Sequence, residues 1–271
     1  MNKSNATVEA VIFDWAGTVV DYGSRAPASA FVEVFRRFDV AISVDEARGP
    51  MGSEKRAHVA ALLADPGIAK RFEAAHGRAP SEADIDAIYK AFIPLQIETL
   101  ASHADLIPGA AETAAWLRER GVKIAGNTGY NSEMSAVNER LAASQGYKPD
   151  VCVAANDVPR GRPAPDMALK CALELGIGTV RGCVKVDDTI PGILEGLNAG
   201  MWTVGVSVSG NEVGLSREEW EALPKDEQKR RRAAATRRLA QAGADYVIDS
   251  VADLPAVIEK INRRLAAGGR P

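Results

Sequence analysis

The chain has 271 residues, 46% hydrophobic and 25% charged, with a formal net charge of −3. That length can bury one substantial core and carry a smaller second domain, and the charge excludes bulk attraction to nucleic acid or an anionic membrane. No apolar run is long enough to cross a bilayer, the start Met1-Asn2-Lys3-Ser4-Asn5 lacks the apolar stretch of a signal peptide, and Cys152, Cys171 and Cys183 show no CxxC spacing, so a cytoplasmic protein with reduced thiols is expected.

The first short apolar run, Ala10–Phe13, reads as a buried strand that ends on Asp14 and opens into the turn Trp15-Ala16-Gly17-Thr18. From Asp21 to His103 the patterns are helical. Ala28–Phe38 carries Phe31, Val34, Phe35 and Phe38 on one face. Ser53–Asp65 starts at a Ser53 cap and stops at Asp65-Pro66-Gly67, and Ile85, Ile88, Tyr89 and Phe92 make a third stripe. Residues 24–104 are assigned to a helical insertion, a cap domain.

Beyond it, helix and strand alternate. Helices are expected at Pro108–Arg120, Asn131–Gln145 and Pro165–Leu175, and strands at Val122–Ala125, Val151–Ala154, Cys183–Val186, Trp202–Val206 and Tyr246–Ile248. Ser216–Gln241 reads as a further helical stretch whose basic run, Lys229 to Arg232, is a solvated face. Strands without polar alternation are buried on both faces. The expected class is therefore α/β: a doubly wound parallel sheet from residues 1–23 and 105–271, with the helical cap inserted.

Ligands of such sheets bind beyond the carboxyl ends of the strands. Asp14, Thr128, Arg162 and the pair Asp187-Asp188 stand there: a carboxylate nucleophile, a hydroxyl, a cation and metal-binding acids, the set that in-line attack on phosphorus needs. Two carboxylates and a backbone carbonyl suffice for Mg²⁺, a hard ion that keeps several waters. A phosphoryl-transfer enzyme built on such a turn usually has a second acid two residues after the first, and here that place holds Ala16. An amine, Lys55, follows in Met51-Gly52-Ser53-Glu54-Lys55-Arg56-Ala57-His58, which suggests that an imine replaces protonation of the leaving group. A place in the first helical turn, at the positive dipole end, favours the free amine, and His58, three residues on, can shuttle protons.

These motifs, with Thr128-Gly129-Tyr130, Gly146-Tyr147-Lys148-Pro149-Asp150, Gly161-Arg162-Pro163 and Asn198-Ala199-Gly200-Met201-Trp202-Thr203, resemble the haloacid dehalogenase superfamily of aspartyl-nucleophile phosphotransferases over almost the whole chain. Within it they are similar to the phosphonatase group. The resemblance implies a Rossmann-like core and hydrolysis of the carbon–phosphorus bond of phosphonoacetaldehyde, through an imine on Lys55 and an aspartyl phosphate on Asp14. It also implies Mg²⁺ at Asp14, the Ala16 carbonyl and Asp188, with Asp187 orienting the site and the roles of Asp187 and Asp188 exchangeable. Met51, Gly52, Thr128, Tyr130 and Arg162 are expected at the substrate, with Arg160 close enough in sequence to compete for the last role.

A homodimer through the cap is implied as well, with the Phe31 and Phe35 stripe as its candidate surface. A phosphatase or phosphomutase of the same superfamily, acting on a small phosphate monoester, is the alternative. One departure stands out: many members carry a second acid about four residues after the metal-binding one, and here Thr189-Ile190-Pro191-Gly192 follows Asp188.

Overall fold

In the computed structural model, residues 7–271 are described, and the polar start Met1–Asn5 lies outside them. Six parallel strands form one sheet: β1 (Ala10–Phe13), β2 (Lys123–Thr128), β3 (Val151–Ala154), β4 (Cys183–Asp187), β5 (Trp202–Val206) and β6 (Tyr246–Ile248), in the order β3-β2-β1-β4-β5-β6. β1 shows why its run is continuously apolar. Val11 and Phe13 pack into the cluster containing Leu117 and Ile261, while Ala10 and Ile12 pack into another with Met167 and Cys171. Alternate side chains thus enter opposite layers, and neither face can be polar.

The helices supplying those layers are α6 (Ala110–Glu119) and α12 (Leu254–Ala266) on one face, and α8 (Asp166–Glu174), α9 (Ile190–Asn198) and α11 (Lys225–Gln241) on the other. α7 (Ser132–Ser144) leans on β3, and α10 (Arg217–Ala222) precedes α11. The single helix expected over Ser216–Gln241 is two, because Pro224 forces Leu223 out of the helical region, to ψ 145°. β2 runs on to Thr128, past the expected end at Ala125, because Asn127 and Thr128 keep pairing with Val153 and Ala154. No described helix is long and apolar enough to span a membrane.

Between β1 and α6 stand α1 (Arg25–Arg37), α2 (Val44–Arg48), α3 (Lys55–Ala64), α4 (Pro66–His76) and α5 (Glu82–Leu100). They enclose an apolar cluster, joined by Tyr130 and Met134 from beyond the insertion, in which Phe31 stacks on Phe92 at 4.3 Å. Phe31 and Phe35 are both 0% exposed, which overturns their reading as an outward contact surface. The stripe is the face by which α1 packs on α5, and burying each ring stabilises the unit by about 1.5–3 kcal/mol. The α3 cap also differs from expectation. Glu54, not Ser53, accepts from Arg56 N and Ala57 N at 2.9 and 2.8 Å, which makes Lys55 the first residue of the helix.

The strand order reverses between β1 and β4. The crevice outside their carboxyl ends is where such a sheet leaves room for a ligand.

Candidate active site

Asp14 leaves β1 at that crevice, its N–H still donating to Val186 O at 2.9 Å. The next turn is tight: Trp15 O accepts from Thr18, Val19 and Val20. Across the crevice β4 ends on Asp187, followed by Asp188. Asp14, Asp187 and Asp188 are buried, and each offers a carboxylate oxygen within 4.8 Å of the others'.

Their partners differ. Asp187 Oδ1 accepts from Thr189 N (3.0 Å) and Thr189 Oγ1 (2.7 Å), and its Oδ2 lies 2.8 Å from Lys185 Nζ and 3.4 Å from Arg162. Burial alone would raise its pKa, but the two cations outweigh that and hold it below the ordinary value. Asp188 accepts from Asn211 N at 2.7 Å and from Thr18 Oγ1 at 3.3 Å, both neutral donors. Burial, then Asp14 and Asp187, push it well above the carboxylate range, and burial followed by Asp187 raises Asp14. The oxygen-only donor set and this shortage of positive charge beside Asp188 fit a divalent cation such as Mg²⁺.

Beneath the carboxylates lies a buried charge network. Arg162 donates to Glu195 Oε2 (2.9 Å) and to Asn127 Oδ1 (2.6 Å), and its Nη1 stands 2.7 Å from Asp14 Oδ1. Lys185 Nζ donates to the same Asn127 Oδ1 at 2.8 Å, while Glu195 Oε1 accepts from Asn127 Nδ2 at 2.9 Å. Arg160 stands outside, exposed and paired with Asp166, so of the two arginines Arg162 is the one that reaches Asp14. Sequence reasoning missed Lys185, Glu195 and the structural part of Asn127. A lysine inside the apolar run Cys183–Val186 was a usable signal, since a charge in a buried strand must be paired. With all ionised, Asp14, Asp187, Asp188 and Glu195 leave one net negative charge against Arg162, Lys185 and Lys55, and two once Lys55 is neutral.

The helical side brings Lys55 to the same place. Lys55 is 4% exposed, and its Nζ lies 5.1 Å from the Tyr130 ring centroid and 5.7 Å from that of Phe31. Burial is the main cause lowering its pKa to about 8, with Asp14 pulling the other way. Desolvation therefore frees the amine, where the sequence pointed to the helix dipole. Asp14, Ala16, Lys55, Thr128 and Tyr130, with Met51 and Gly52, line one small cavity of about 20 Å³. The two sides press close: a Cβ on Gly52, whose φ is +91°, would overlap the Thr189 side chain. Thr128 Oγ1 accepts from Tyr130 N at 3.1 Å, which leaves its own proton free for the cavity. Thr128 is not a helix cap, since Asn131 caps α7.

His58 lies off the cavity wall. It is 0% exposed, stacks on Phe31 at 3.8 Å and places Nε2 2.9 Å from Ala47 O. A carbonyl partner makes Nε2 the protonated nitrogen and leaves Nδ1, which has no partner, as a bare acceptor. Burial and the nearby Lys55 keep the ring neutral, its pKa well below the usual value.

A haloacid dehalogenase-like hydrolase family profile matches residues 8–200. A phosphonoacetaldehyde hydrolase of Hahella chejuensis is 53% identical over 264 residues, covering 97% of this chain and 90% of that protein. One from Vibrio cholerae is 51% identical over 269 residues, covering 98% and 99%. The crystal structure of a phosphonoacetaldehyde hydrolase-like protein from Oleispira antarctica superposes with a TM-score of 0.96 at 53% identity, over 100% of both chains.

Proposed function

The chain belongs to the haloacid dehalogenase-like hydrolases, among the phosphonoacetaldehyde hydrolases, and from that premise we propose that it cleaves phosphonoacetaldehyde to acetaldehyde and phosphate. The observation that carries this reading is a buried amine of lowered pKa, Lys55, sharing one small cavity with the Asp14 carboxylate, beside a turn whose position 16 is alanine.

In this reading residues 24–104 act as a cap that delivers Lys55 to the core. Lys55 Nζ adds to the aldehyde carbon, water leaves, and a protonated imine forms. An Asp14 oxygen then attacks phosphorus. The electron pair of the breaking C–P bond moves into the imine, and the carbon departs as an enamine. That leaving group needs no proton on the phosphoryl side, so an acid at position 16 would have no work. Protonation of the enamine carbon and hydrolysis of the imine release acetaldehyde and restore Lys55. A second water cleaves the aspartyl phosphate.

Arg162 holds Asp14 and offers charge to the phosphoryl oxygens, and Thr128 offers a hydrogen bond. His58, neutral and with Nδ1 unpartnered close to Lys55, would relay a proton there rather than hold one. Met51, Gly52 and Tyr130 wall the imine site and limit its water. A Mg²⁺ ion held by Asp14, Asp188 and the Ala16 carbonyl would supply positive charge beside the phosphoryl group. Asp187, already engaged by Lys185 and Thr189, orients the site.

The test is incubation with phosphonoacetaldehyde and Mg²⁺. Acetaldehyde and phosphate should appear in equal amounts, stop on chelation and resume when Mg²⁺ is restored. Turnover of phosphate monoesters with no response to phosphonoacetaldehyde would transfer the chain to the phosphatase reading. A pH dependence follows from Lys55. Its amine must be neutral to add, so kcat/KM should climb with pH and level off above about 8. At pH 7 about a tenth of the amine is neutral. A profile already level from pH 6 upward would contradict the role given to Lys55.

A further inference from the structure

Arg48 ends α2, yet its guanidinium reaches out of the helical unit and into the core. Nη1 lies 2.9 Å from Gly23 O, 3.2 Å from Ser24 O and 3.0 Å from Asn211 Oδ1, while Nη2 lies 3.0 Å from Gly214 O. All four acceptors are neutral: three backbone carbonyls and one amide oxygen. Gly23 and Ser24 belong to the first connection between sheet and helical unit, and Asn211 and Gly214 to the loop after β5. The packing is close as well, since a Cβ on Gly214 would come within 2.8 Å of the Arg48 Cζ.

Asn211 carries the contact inward. Its side chain accepts from Arg48, and its own N–H donates to Asp188 Oδ2 at 2.7 Å. The same loop is tied to the first connection by Gly23 N, which donates to Ser209 O at 2.7 Å. A continuous chain therefore runs from α2 through one guanidinium and one amide to a carboxylate of the crevice.

We propose that Arg48 is a positioning residue, a latch that locks the loop at residues 209–214 against Asp188 when the helical unit is seated on the core. It rests on the reading above only in taking Asp188 as the Mg²⁺ ligand. Arg48 does not touch the cavity and takes no part in bond making. If the helical unit swings away, the guanidinium loses its core acceptors together, because one rigid planar group makes all these bonds. Asn211 then loses its side-chain anchor, and the N–H that orients Asp188 is freed. Closure and carboxylate geometry become one event.

The test compares the wild type with Arg48→Lys, Arg48→Met and Asn211→Ala. Amide exchange is followed in the metal-free protein, and Mg²⁺ binding is measured by calorimetry without substrate. In each variant the backbone amide at position 211 should exchange at least tenfold faster, corrected for the intrinsic rate of the residue there, while amides of β1 and α12 keep their protection. The Mg²⁺ dissociation constant and the Mg²⁺ concentration for half-maximal turnover should both rise about tenfold. Saturating Mg²⁺ should recover most of kcat, and lysine should not rescue, since one ammonium cannot span four acceptors. Combining Arg48→Met with Asn211→Ala should add little to either alone.

Unchanged Asn211 exchange in the Arg48 variants would overturn the latch. Should one Arg48 variant fail to fold, Asn211→Ala breaks the same chain from its other end. A wild type that binds no Mg²⁺ would sink the reading of Asp188 as a metal ligand, while the exchange comparison would still decide on the latch.

Discussion

Lys55→Met is expected to give a protein that is more stable than the wild type and catalytically dead. The loss of activity follows from the proposed imine. Without a primary amine the electron pair of the C–P bond would have nowhere to go, and turnover should fall by roughly 10⁴-fold or more. Lys55→Arg should fail equally, because guanidinium stays protonated and forms no imine under these conditions. Borohydride reduction in the presence of substrate should attach a two-carbon fragment to the wild type at Lys55 and leave both variants unlabelled.

The stability gain follows from the lowered pKa. Burial brings Lys55 from 10.5 to about 8, so the folded state resists the proton that the unfolded chain accepts. The penalty is therefore complete below pH 8 and fades as pH rises towards 10.5. At pH 7 it amounts to about 3 kcal/mol. Methionine is similar in length and carries no charge, so denaturant titration at pH 7 should show most of that gain and a smaller one at pH 10. A Lys55→Met variant of unchanged stability at both pH values would mean that the amine is not desolvated, and the route to a free amine would be lost.

The sheet was legible in the sequence because its strands are mostly apolar and the central ones are buried on both faces. The runs Ala10–Phe13, Val151–Ala154, Trp202–Val206 and Tyr246–Ile248 coincide with β1, β3, β5 and β6. Asp14, Thr128, Asp187 and Asp188 could be singled out because they stand where those runs end, and strand ends are where this topology gathers polar groups. The geometry brings them together with Lys55, which periodicity alone would have left as a surface lysine. The stripe of Phe31 and Phe35 announced a buried face, but a stripe does not say what buries it, and α5 was the answer.

The supporting residues left weaker traces. Lys185 was hidden inside an apolar run, and Glu195 inside the helix Ile190–Asn198. Their meaning is mutual, since each is tolerable in the interior only because the other and Arg162 are there. Arg48 was invisible for another reason. Three of its partners are backbone carbonyls, at positions 23, 24 and 214, and carbonyls have no side-chain signature.

Gly192→Ala should cost both stability and activity, although glycine 192 has no side chain to lose. A Cβ at that position would fall directly on the Asp187 carboxylate. Asp187 has no room to yield. It is 0% exposed, held on one oxygen by Thr189 and on the other by Lys185 and Arg162. Moving it would strip compensation from two buried cations, a change that costs about 3–5 kcal/mol. Because Arg162 also holds Asp14, activity should drop on the order of 100-fold.

Asp187→Gly should be comparably harmful, since it removes the same carboxylate from the same cations. The superfamily resemblance noted a missing acid four residues after Asp188, and the geometry accounts for that gap: the space that a side chain at 192 would enter is already filled from position 187. If the two positions are alternative sources of one carboxylate, exchanging them should restore function. The exchanged protein, Asp187→Gly with Gly192→Asp, should recover at least tenfold in activity over the worse single variant, along with several degrees of Tm. If it is no better than that single variant, the two side chains do not share one space in any useful sense. The Asp187 carboxylate would then be required from its own strand, where Thr189 N–H and Oγ1 fix its direction as well as its charge.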